Sequence, residues 1–186
     1  MIDAMVESKP LRSTFSSAVR NRHQQRNSET GAAVTWLVLW LPVLILLLGI
    51  VADVGRLYTL RSVAQTAADM GALAGVQELD LEALAEGTLW VNVDEAQREA
   101  RNLALEVAQK NLDRSVQSVK VESIAINATP LVPATHPWTG RRLETATVSV
   151  TVDAVARTYF LSMLMPRVNL GARGDASVLE RPGFGP

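Results

Sequence analysis

The sequence predicts an α+β fold carried on a membrane-spanning helix. Three observations support this: an uncharged run from Ala32 to Ala52, an amphipathic helical pattern after Asp94, and three segments beyond Asp113 with apolar residues near period two. Together they give a long N-terminal transmembrane helix continuing into an extracytoplasmic domain. That domain has a second helix and a small antiparallel sheet of three or four strands.

As a helix rising ~1.5 Å per residue, the run Ala32–Ala52 is roughly 31 Å long, close to the hydrocarbon thickness of a bilayer. Pro42 lies within it, a position that membrane helices tolerate. From Ser8 to Ser28 the charges are Lys9, Arg12, Arg20, Arg22 and Arg26, with no acid among them. The positive-inside bias places residues 1–30 in the cytoplasm as a basic tail, expected to be disordered because it lacks apolar periodicity. Residues 31–53 then form the transmembrane helix, and residues 54–186 form the extracytoplasmic domain. The run is too long, and lies too far along the chain, for an ordinary secretory signal.

No proline interrupts Val54 to Leu84, so the helix is expected to continue to at least Gly75, or as far as Gly87. Ala64, Ala68, Gly71 and Gly75 form one stripe of small residues that admits another backbone. Either the domain's own sheet or another chain rests there. A second helix is predicted from Asp94 as N-cap with Gln97 as its capping-box partner. Ala96, Ala100, Leu103 and Val107 face inward, and Glu95, Arg98, Glu99, Arg101, Glu106 and Lys110 form a solvated face. A strand follows at Val119–Ile126, with a phase slip near Ser123 that suggests a bulge. Two cleaner alternations follow, Thr147–Ala154 and Val168–Val178. Thr129 to Arg142 holds Pro130, Pro133, Pro137 and Gly140 and reads as a loop.

The net charge of −1 gives no basic field for nucleic acid, and the absence of cysteine excludes disulfides and thiolate chemistry. The two histidines, His23 and His136, fall on opposite sides of the membrane and read as solvated loop residues. Acids are interleaved with arginines, and no phosphate-cradling glycine loop is present. No catalytic residue, metal or cofactor is therefore expected. Asn127-Ala128-Thr129 is formally a glycosylation sequon. Asp53 stands three residues before Arg56 on one helix face. It reads either as an interfacial ion pair with Arg56, with Tyr58 anchoring at the headgroups, or as a charge that docks a partner's membrane helix.

These residues resemble the TadE/TadG-like proteins of the tight-adherence, Flp-type pilus assembly system, relatives of type IV pilins. The resemblance rests on Gly31-Ala32-Ala33-Val34, on Leu41-Pro42-Val43, on Asp53-Val54-Gly55-Arg56-Leu57-Tyr58, and on Gln65 to Gly75 with Ala68, Asp69 and Gly71. The segment Tyr159–Met165 and the closing strand Val168–Val178 look like the family as well. The resemblance implies a pilin-like extracytoplasmic domain, an inner-membrane location, and a minor-pilin-like role in pilus assembly. It also implies a candidate processing site at Gly31-Ala32. Expected partners are other pilin-like Tad proteins in a hetero-oligomer, the membrane assembly platform and the lipid bilayer. The chain departs from pilins where they carry a glutamate, having Thr35 there, which favours an assembly factor over a bulk filament subunit. The alternative is an envelope scaffold or sensor-input domain unrelated to pili.

Overall fold

The computed structural model describes residues 14–178, with side chains from Val34 onward. The architecture is α+β: helices α1 (Thr14–Val76), α2 (Leu81–Ala85) and α3 (Val93–Asn111) precede strands β1 (Val116–Ile126), β2 (Ala134–Thr135), β3 (Arg142–Leu143), β4 (Thr147–Arg157) and β5 (Arg167–Ser177). The chain forms two compact units, Met1–Leu48 and Gly49–Pro186.

In the first unit α1 passes through Pro42 without interruption. Every side chain from Val34 to Leu48 is exposed. The helix is long and apolar enough there to cross a membrane, which is compatible with a single-pass anchor. The disordered tail expected over residues 1–30 lies partly outside the described residues, but from Thr14 the chain is helical. Neither proline nor glycine interrupts Thr14 to Thr30, and a helix nucleated in the span extends at little cost.

In the second unit α1 stops at Val76, where the Gln77 and Glu78 amides close onto the Ala74 and Gly75 carbonyls. Gly87, at φ 80°, instead follows the end of α2, which Asp80 caps by accepting from the Glu82 and Ala83 amides. The cap of α3 is Asn92, two residues before the expected Asp94; its side-chain oxygen accepts from the Glu95 amide at 3.4 Å. Asp94 sits in the first turn, where a carboxylate complements the helix dipole. Its inward face is Ala96, Ala100, Ala104 and Ala108, all fully buried. The opposite face forms the ion pairs Glu95–Arg98 and Glu106–Lys110.

The three-stranded sheet is antiparallel, in the order β1-β4-β5. Val148, Val150 and Val152 of central β4 pack with Ala64, Ala67, Ala68 and Ala72 of α1 and with the alanines of α3. Nearer Asp53, Leu60, Ala154, Ala156 and Leu170 form a second cluster. The bulge expected at Ser123 is absent: pairing is regular from Ser118 to Ile126, and the irregularity lies between Val116 and Ser118. Ser123 keeps its phase as a polar residue on the helix-facing side, where its hydroxyl donates to the Gln97 carbonyl at 2.8 Å.

The proline-rich loop carries the short β2–β3 ribbon, and His136 within it is not solvated. It is 2% exposed. Its Nε2 lies 2.7 Å from Ser149 Oγ, its Nδ1 accepts from the Trp138 amide at 3.1 Å, and the Arg173 guanidinium stands 2.7 Å from Nε2. The loop thus folds over β4 and β5, carrying the histidine inside.

Candidate functional site: the membrane exit

Where α1 leaves the uncharged run, Asp53 is 4% exposed. Its carboxylate accepts the main-chain amides of Tyr159 at 3.1 Å, Phe160 at 2.7 Å and Leu161 at 2.8 Å. These amides begin the short 3-10 turn Leu161–Met163, whose first donors have no partner within the turn. Three charge-assisted bonds offset the desolvation of the carboxylate.

The ion pair expected between Asp53 and Arg56 does not form. Arg56 turns to Asp113, donating through Nη2 at 2.9 Å and Nε at 3.1 Å, and donates also to the Arg157 carbonyl. Its guanidinium covers the Tyr159 ring at 4.7 Å. One turn below Asp53, the Phe160 ring lies on Gly49 so closely that an added Cβ there would clash with it. Asp53, Arg56 and Gly49 thereby clasp the β4–β5 connection to α1.

Farther along α1, the Gln65 amide donates to the Arg173 carbonyl and accepts weakly from the Arg173 amide. Arg173 lies on β5, an edge strand, so Gln65 supplies pairing that a further strand would give. Asp69 holds the Gln65 amide at 2.9 Å. Gly174 brings β5 against the Ala68 backbone; an added Cβ would meet the Ala68 carbonyl carbon at 2.5 Å. Gly71 and Gly75 seat α3, since a Cβ at either would approach the Ala100 or Ala96 carbonyl oxygen to 2.6 or 2.7 Å. The small-residue stripe therefore receives this chain's own helix and sheet.

Two motif residues point elsewhere. Gly55 has nothing within 4 Å of an added Cβ, and Tyr58 is 76% exposed. Gly31, Ala32 and Thr35 lie in α1. Among the described residues no group of three or more His, Asp or Glu could hold a metal ion. An open groove between α3 and β1 is lined by charges of both signs, including Arg98, Arg101 and Glu122, and contains no motif residue.

The partners of this site were not foreseeable from spacing alone. Asp53 and Gln65 bind main-chain groups more than a hundred residues away, which carry no side-chain signature. The available signal was Tyr159–Met165, an apolar segment without a charge.

No curated protein and no solved structure gives a significant match to the chain. The family model for Flp pilus-assembly TadE/G-like proteins matches residues 31–78, which include Asp53, Gln65 and the small-residue stripe. The C-terminal likeness at Tyr159–Met165 lies beyond the matched residues. Over residues 31–78 the chain is thus similar to TadE/G-like Flp pilus-assembly proteins.

Proposed function

We propose that this protein is a minor-pilin-like assembly factor of a Flp-type pilus, acting by recognition rather than catalysis. The observation that carries this reading is the family match over residues 31–78. Thr35, at the place where pilins carry an acid, favours an assembly factor over a filament subunit. In this reading the span lies in the inner membrane with the basic N-terminal segment in the cytoplasm. Partner contact falls on the α1 face left open by the domain, where Gly55 admits a close helix and Tyr58 offers an exposed ring. Partners are other pilin-like Tad proteins and the assembly platform, in a hetero-oligomer.

An in-frame deletion in the native host should abolish surface pili without loss of viability, as scored by electron microscopy, and the wild-type gene should restore them. A Gly55→Leu, Tyr58→Ala double variant should insert and fold, yet fail to restore pili. Normal piliation in the deletion strain would overturn the reading and leave an envelope scaffold or sensor-input role.

A further inference from the structure

The β4–β5 hairpin steps down α1 toward the uncharged run. Ala154, Ala156 and Leu170 pack with Leu60. The Arg157 carbonyl meets Arg56, the Tyr159 and Phe160 amides reach Asp53, and the Phe160 ring rests on Gly49. Gly49 lies inside the run Ala32–Ala52. The hairpin's turn, residues 158–166, therefore leaves the domain at the level where the helix becomes uncharged.

Its chemistry suits that level. No charge occurs from Thr158 to Pro166, and Arg157 and Arg167 bound the segment. Phe160, Met163, Leu164 and Met165 are 53%, 96%, 79% and 62% exposed, an apolar cluster unfavourable in water. Several of its main-chain polar groups are nevertheless paired, as an apolar medium favours. Asp53 takes three amides, the Leu161 carbonyl accepts those of Leu164 and Met165, and the Thr158 hydroxyl donates to the Met165 carbonyl. Arg157 and Arg167 stand at the ends of the segment and confine its uncharged stretch to the turn.

We propose that this turn is a second membrane contact: Phe160, Met163, Leu164 and Met165 insert into the interfacial layer of the bilayer that α1 crosses. The inference rests on Ala32–Ala52 spanning that bilayer. Its ligand is the lipid surface, because the segment meets α1 at Gly49, within the uncharged run, and is itself uncharged from Thr158 to Pro166. The outer domain is then held at the membrane by two points, the span and the turn.

The chain has no cysteine, so single-cysteine labelling is direct. Full-length Met163→Cys, Leu44→Cys and Leu131→Cys variants would each carry an environment-sensitive fluorophore. They would be reconstituted in phosphatidylethanolamine–phosphatidylglycerol vesicles with or without brominated acyl chains. Leu44 reports the span, and Leu131, 94% exposed in the proline-rich loop, reports water. The Met163 label should emit to the blue of the Leu131 label and be quenched several-fold more strongly by brominated lipid. A quenched Leu44 label with a Met163 label resembling that at Leu131 would overturn the second contact and leave the anchor standing. A blue-shifted but unquenched Met163 label would mean a protein contact and overturn it equally. No quenching at Leu44 would overturn the span, and the second contact with it.

Discussion

At the scale of single residues, His136 links the stability of the C-terminal domain to pH. Burial and the adjacent Arg173 guanidinium hold its pKa below the ordinary histidine value, with Asp175 opposing in part. The unfolded chain therefore binds a proton that the fold resists. Stability is complete above about pH 6.5 and is lost as pH falls toward the lowered folded value, at up to about 1.4 kcal/mol per pH unit. Chemical unfolding of the full chain in detergent between pH 8 and 5 should show this decline, and a His136→Gln variant should flatten it. Unequal slopes are required; identical profiles would remove His136 as the cause. The burial of this residue was not legible in sequence, because a loop rich in proline and glycine has the composition of a solvated one whether or not it folds back over a sheet. Asn127 is similar: it reads as a sequon, yet its amide accepts from the Val91 N–H and donates to the Val91 carbonyl, both at 2.9 Å.

At the scale of elements, the long periodic segments were legible and the short ones were not. Strands β4 and β5 show their alternation because each turns its apolar residues to the helices; in α3 the expected inward residues Ala96 and Ala100 are fully buried, whereas Leu103 and Val107 are half-buried and Ala104 and Ala108 complete the face. The two-residue strands β2 and β3 and the five-residue α2 are too short to show a period. The start of α3 was misplaced because Asn92 and Asp94 are both good capping residues, and the amide geometry chooses between them. The small-residue stripe showed that something approaches α1, without showing what. Its role in the fold predicts that Gly75→Leu, which would drive a side chain into the Ala96 carbonyl and Val148, destabilises the domain by about 2 kcal/mol or more. Gly55→Leu, on the open face, should be near neutral when both variants are compared by thermal unfolding. An equal loss at both positions would contradict the assignment of the two faces.

At the scale of the whole molecule, the family segment serves two ends. Its inward residues, Asp53, Gln65, Ala68, Gly71 and Gly75, build the C-terminal domain onto α1, and its outward residues Gly55 and Tyr58 stay open. The central claim is that Asp53 is spent on the β4–β5 connection of its own chain. Residue-resolved hydrogen exchange of the full-length protein in lipid nanodiscs tests it most directly, comparing wild type with Asp53→Ala. Removing the carboxylate leaves three amides without their acceptor, a loss of about 1–3 kcal/mol. The amides of Tyr159, Phe160 and Leu161 should then exchange roughly ten- to a hundred-fold faster, while Val150 and Val152 keep their protection. Unchanged exchange at those three amides would contradict the account, above all if the variant also lost a co-purifying partner, because Asp53 would then be facing outward.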